Sequence, residues 1–317
     1  MPKKLCIGVN MFTDRLLNLG ATGHSTSNSD LKNSQQKLVE QLNARIVPNG
    51  CSHPTRLLLG RCIAKLFSVA DASHLFETIN LCNDALKDPS VLLQVKLTAL
   101  SVLGEMFEYL GRMVGRSYEE TFQSLAKWLK SAESNARIEI LQTLAKMLHG
   151  LGSGTFPIFK DIYKCLAKAL FDRVMAVRVA AANCFACLVE IPDSPLFIQH
   201  DLESICTLCI KSLHVSNADL RLSIANIFAN LAFCVLKFND GSGSSRQRAV
   251  TPTSTKTQQP QNSSPSKSST SAPFDVLLRC LSNGMLRGGV GGFLKNAKTA
   301  TGIRATIGQR ETPYLCR

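Results

Sequence analysis

The sequence predicts an all-α solenoid of stacked helical hairpins, about five repeats with a truncated sixth, and three observations lead there. Basic residues recur at a nearly fixed spacing: Arg56, Lys96, Arg137, Arg178 and Arg221 stand 40, 41, 41 and 43 residues apart. The residues that follow each of these markers agree in type. The composition, 45% hydrophobic but only 6% aromatic with a single tryptophan, suits helices packed through Leu, Ala and Val.

Seven places after the markers stand Ile63, Leu103, Leu144, Phe185 and Phe228, and ten places after them Leu66, Met106, Met147, Leu188 and Leu231. Together with an apolar residue at offset three, these positions trace one face of an α-helix. Offset eight holds Ala64, Gly104, Ala145, Ala186 and Ala229, small enough to admit a neighbouring helix. A self-similar helical unit of this length falls in the range of HEAT and armadillo repeats. A helical bundle with coincidental basic positions is the competing architecture.

Residues 1–34 read as a partial N-terminal helix, with Met11, Phe12, Leu16 and Leu17 on one face, and a flexible Gly/Ser/Asn-rich segment from 20. The solenoid is expected over 35–238. Leu38, Val39, Leu42 and Ile46 mark the first helix of repeat one, Pro48-Asn49-Gly50 breaks it, and 55–68 supply the second. Repeat two carries Leu75, Phe76, Ile79 and Leu86 on its first helix and turns at Asp88-Pro89-Ser90. Repeat three joins 117–132 to 134–151, repeat four joins 157–171 to 173–190, and repeat five joins 194–213 to 217–238, with Pro157 and Pro195 at first-turn positions. Residues 239–272 have no aromatic and almost no aliphatic side chains, so they cannot offset their ordering entropy and are expected to be a disordered Ser/Thr/Pro/Gln-rich linker. Residues 273–317 read as a truncated further repeat with a basic tail, beginning with a helix through Phe274, Val276, Leu277, Leu278 and Leu281. Neither terminus offers the polar cap of a finished solenoid, so the chain is expected to be a fragment, or an incomplete gene model, of a longer one.

The net charge is +13, but the flanks hold most of it: 239–272 set four basic residues against Asp240, 273–317 set seven against Asp275 and Glu311, and 20–238 carry only +3. A nucleic-acid groove would concentrate charge on the structured part, so the alternative function is a generic HEAT-repeat protein-interaction module, with nucleic-acid association through the basic flanks behind it, its signature being steep salt dependence and loss on deleting 239–317. Twelve scattered cysteines fit reduced thiols better than a disulfide framework, and no secretory signal or 18-residue apolar run is read.

Motifs for chemistry are few. Cys184-Phe185-Ala186-Cys187 and Cys206-Thr207-Leu208-Cys209 have zinc-ribbon spacing, yet both pairs fall inside expected helices, so small buried hydrophobes are the competing reading. The six histidines stand in no nucleophile-and-base spacing, and His149 reads as a helix C-terminal residue. The glycines of 288–292 lack the Lys-Ser/Thr of a phosphate-binding loop. Thr251-Pro252 and Ser264-Pro265 could be proline-directed phosphorylation sites or plain linker. No enzyme activity, metal or other cofactor is expected. The five marker residues are expected to be structural, bonding acids or carbonyls near Asp88, Asp172 and Asp219, with a partner-binding row as the other reading.

Several stretches resemble the N-terminal region of the HEAT repeat-containing protein 5 family: QKLVEQL at 36–42, LCNDALKD at 81–88, GRMVG at 111–115, LKSAES at 129–134, KDIYK at 160–164, DRVMAVR at 172–178 and MLRGGVGGFLK at 285–295. The resemblance implies a very large cytoplasmic scaffold, peripheral to Golgi and endosomal membranes through its partners. It implies work with a clathrin adaptor complex in vesicle-mediated protein transport between endosomes and the trans-Golgi network. It carries over no catalytic or ligand residue.

Overall fold

The computed structural model describes residues 28–48, 50–69, 71–191, 199–214, 216–244 and 273–283, all of them helix, turn or connection, with no strand among them. The helices fall into two compact units, Met1–Pro192 and Asp193–Arg317, and the division lies inside the 35–238 stretch expected as one body. The first unit holds α1 (Asn28–Asn43), α2 (His53–Val69), α3 (Leu75–Lys87), α4 (Leu93–Leu110), α5 (Ser117–Ser131), α6 (Ser134–Leu151), α7 (Phe159–Ala169) and α8 (Met175–Glu190). The second holds α9 (Gln199–Ser212), α10 (Ala218–Ser244) and α11 (Pro273–Leu281).

In the first unit α2, α4, α6 and α8 pack side by side in succession, α3 packs on both α4 and α5, and α7 packs on α8. In the second, α11 packs on α9 and α10. The all-helical packing is consistent with an α-solenoid. Its core follows the sequence register. The residues three, seven and ten places after each marker are all buried, for example Ile140, Leu144 and Met147 on α6, each no more than 2% exposed. Burial of one such side chain stabilises by about 1.5–3 kcal/mol. Offset eight behaves less uniformly: Ala64 is buried, Ala145 and Ala186 are half-buried and Ala229 is exposed.

Polar pairs set the register of the first helices. Asn43 on α1 donates to the Thr78 hydroxyl on α3 at 3.0 Å, and the Thr121 hydroxyl on α5 donates to Asn83 on α3 at 2.9 Å. Both threonines and Asn83 are buried, so these bonds fix one relative height of the helices.

Glycine ends two of the second helices. Gly111 after α4 and Gly152 after α6 have φ of +52° and +51°, a conformation that other L-residues rarely adopt, and each leads into a 3-10 segment, Gly111–Val114 and Gly152–Ile158.

Several boundaries differ from the sequence expectation. α1 begins at Asn28, inside the segment expected to be flexible, and α10 continues past 238 to Ser244, because an established helix gains a hydrogen bond for each residue it adds. Pro157 lies in the 3-10 segment ahead of α7 and not in its first turn. Ile46 is buried but sits beyond the end of α1, and Phe76, expected on the packed face, is 47% exposed while Leu75 and Ile79 are fully buried. The stretch Ala218–Lys237 of α10 is long and apolar enough to cross a membrane by length and composition, which corrects the expectation that no such run exists. Leu220, Ile224, Ile227, Leu231 and Val235 along it are buried. Residues 1–27, Pro195, most of the expected linker, and 284–317 with their glycine loop lie outside the described residues.

Candidate functional site

Each of the five markers is the fourth residue of its helix: Arg56 on α2, Lys96 on α4, Arg137 on α6, Arg178 on α8 and Arg221 on α10. Their surroundings differ. Arg56 is buried; its Nε donates to the Ser101 hydroxyl on α4 at 3.0 Å, one terminal nitrogen meets His53 Nδ1 at 3.0 Å, and the same nitrogen pairs with Glu139 on α6. Lys96 places its ammonium 5.9 Å from the centre of the Trp128 ring, a cation–π contact with α5. Arg137 donates to the Ala132 carbonyl at 2.9 Å and to Asp172, in the turn before α8, at 3.1 Å, while its Nε is buried without a partner. Arg178 Nε donates to the Leu170 carbonyl at 3.0 Å, and Arg221, exposed, to the Asn217 carbonyl at 3.2 Å. Asp88 accepts from the Ser90 N–H at 2.8 Å and its hydroxyl at 2.7 Å, bonds that hold its carboxyl below the usual range, with the charge of Lys96 acting in the same direction.

A second charge row was not read from the sequence. Glu105 on α4 is buried between Arg61 of α2, 3.2 Å away, and Lys146 of α6, and Lys146 also lies 3.5 Å from Glu108. His149, in the last turn of α6, stands 4.0 Å from Glu108. A signal existed: Glu105 and Lys146 both stand nine places after their markers, so opposite charges occupy one register on adjacent helices. The row neutralises itself within the stack.

The first-helix side offers a cleft. α3 packs on α5, but α5 and α7 stand apart and leave a space of about 370 Å³ between them. Buried Phe122 and Leu129 of α5 and Val177 of α8 line it, with Ala126 and Cys165 at half depth. Its charged lining comprises Lys130, Arg137, Lys164 and Lys168 against Asp161 and Asp172. Arg137 pairs with Asp172, and Lys164 lies 3.5 Å from Asp161 on the same helix. Burial raises the Cys165 thiol, and the charges of Lys130 and Lys168 pull it the other way. The polar pinning of the first helices stops here: five residues after Thr121, where Asn83 would correspond to Thr78, stands Ala126, and the fourth and fifth residues of α7 are Ile162 and Tyr163.

The paired cysteines lie within helices. Cys184 on α8 is fully buried and its thiol is raised well above the ordinary value by that burial. Cys209 on α9 is also buried and pushed up to about 12. A zinc site needs thiolates, and these surroundings disfavour them. Among the described residues no group of three or more His, Cys, Asp or Glu side chains could hold a metal ion.

Among the described residues the helices pack in rows with cross-helix ion pairs and a lysine-flanked cleft, an all-helical array consistent with an α-solenoid. No family model matches the chain. It is similar to Protein SWEETIE of Arabidopsis thaliana, 23% identical over 199 residues that make up 62% of this chain and 9% of that protein. The chain thus spans less than a tenth of that relative's length.

Proposed function

We propose that this chain is part of a HEAT-type solenoid scaffold, five hairpin repeats with a truncated sixth, whose function is to present surfaces to other proteins in transport between endosomes and the trans-Golgi network. The observation that carries the repeat reading is the shared register, in which a basic fourth residue precedes buried positions three, seven and ten places on, in five helices. The transport role, the clathrin adaptor partner and a cytoplasmic location peripheral to those membranes rest on the stretches between 36 and 295 that resemble the HEAT repeat-containing protein 5 family.

Affinity capture of the full-length protein from cells, followed by mass spectrometry, tests the transport reading. Recovery of clathrin adaptor subunits, with displaced endosomal cargo after depletion, is the expected result. Capture without adaptor subunits, and cargo left in place, would overturn it.

A further inference from the structure

We propose that the cleft between α5 and α7 is a docking site for a short acidic peptide segment, whose carboxylates engage Lys130 and Lys168 while an adjoining apolar side chain enters over Phe122, Leu129 and Val177. The inference rests on the reading of the chain as an interaction module, but not on its assignment to any transport step.

Three features converge on this space. The gap is built into the sequence, because Ala126 replaces the asparagine that would pin α5 to its neighbour and α7 offers no threonine to receive it. The space of about 370 Å³ has an apolar floor, and the contact surfaces of Phe122, Leu129 and Val177 continue it into the core. Such a mixture of apolar lining and a few placed polar groups is what binding clefts share.

Charge selects the occupant. Several cross-helix cations of the first unit meet carboxylates: Arg56 meets Glu139, Lys87 meets Glu120, Lys146 meets Glu105 and, at this cleft, Arg137 meets Asp172. Lys130 on α5 and Lys168 on α7 face the same cleft from opposite walls, and among the described residues neither has a carboxylate partner. Lys130 and Lys168 are exposed at the rim of the apolar floor, so an incoming carboxylate would add charge-assisted bonds to the apolar contact below it. A basic segment would meet four cations, with both carboxylates already engaged. A neutral one would leave both lysines unmatched.

The test uses the 317-residue chain and a short fluorescein-labelled peptide with two aspartates followed by two leucines, read by anisotropy. Micromolar binding is expected, weakened roughly tenfold by the double substitution Lys130→Glu with Lys168→Glu, the loss of a little over one kilocalorie per mole that two surface charges carry. The control pair Lys37→Glu with Lys211→Glu should bind as the parent does. Ala126→Phe, which fills the cleft without changing charge, should also abolish binding. Absence of binding by the parent chain, equal binding of the peptide with asparagines in place of aspartates, or a double lysine variant indistinguishable from the control would each overturn the proposal. Adaptor capture reads the transport assignment separately, so either reading can fail alone.

Discussion

Arg56 on α2 reaches across α4 to pair with Glu139 on α6, passing over the hydroxyl of Ser101. One arginine thus ties helices that are second neighbours in the row, with the Ser101 hydroxyl of the helix between them as a further partner. The Arg56 side chain is only 4% exposed and Glu139 21%. Removing one member of such a pair leaves the other charge desolvated and unmatched. Glu139→Gln should therefore destabilise the chain by about 3 kcal/mol in urea unfolding. Arg221 is the counterpart of Arg56 in register but is exposed, so Arg221→Met should stay within about 0.5 kcal/mol of the parent. Equal effects of the two substitutions would contradict this account.

Gly150 near the end of α6 carries a different constraint. A Cβ there would fall 2.0 Å from the Phe107 carbonyl oxygen and 2.8 Å from Glu108 Cα, both backbone atoms of α4 that no side-chain rotation can move. Gly150→Ala should cost about 3 kcal/mol or more, because the two helices must separate to admit the methyl group. Gly154→Ala is the matched control, since a Cβ there has only Leu151 Cβ within reach, at 3.9 Å. Thermal unfolding should show a drop of several degrees for the first and little change for the second.

The core was legible in the sequence because it is local. A marker fixes the helix register, and positions three, seven and ten then lie on one face whatever the next helix does. The cross-helix row was not legible in the same way, since Arg61, Glu105 and Lys146 are ordinary charged helix residues until packing brings 41- and 44-residue separations into contact. The α5–α7 cleft lay further out of reach. It depends on what is missing, an asparagine at Ala126 and a threonine on α7, and such an absence acquires meaning only after the pairs Asn43–Thr78 and Asn83–Thr121 are seen. The α1 and α10 boundaries were misplaced because low hydrophobicity signals the end of core contacts, not the end of a helix.

Cys82 on α3 links burial to pH. It is fully buried, and burial pushes its thiol up to about 12. In the unfolded chain the same thiol ionises near 8.5. The contribution is thus fully present below the unfolded value and is lost as pH rises toward the folded one. The stability difference between the parent and Cys82→Ala, set by a cavity at neutral pH, should narrow by about 1 kcal/mol or more between pH 8 and pH 10. Urea unfolding at the two pH values reads it. A constant difference would show that Cys82 already reaches solvent in the folded state.

The Arg137–Asp172 pair decides whether a marker residue serves the stack or a partner. Asp172 has two tasks: its carboxylate accepts the Val174 N–H at 2.9 Å, holding the turn into α8, and receives Arg137 from α6 at 3.1 Å. If the pair joins successive repeats, Arg137→Met and Asp172→Asn should not add. A double-mutant cycle should give a coupling of about 1 kcal/mol, the upper end of the scale for exposed ion pairs, since the two side chains are only 22% and 17% exposed. Asp172→Asn should be the milder single change, because the amide oxygen can still accept from Val174. Arg178→Glu should also lower stability, since a carboxylate cannot replace the donor that Nε offers to the Leu170 carbonyl. The opposite reading predicts a different pattern: additive single effects, unaltered unfolding midpoints, and loss of a bound protein on removing either arginine. The two patterns share no outcome, so unfolding curves measured beside capture of partners from lysate assign the markers to one role or the other.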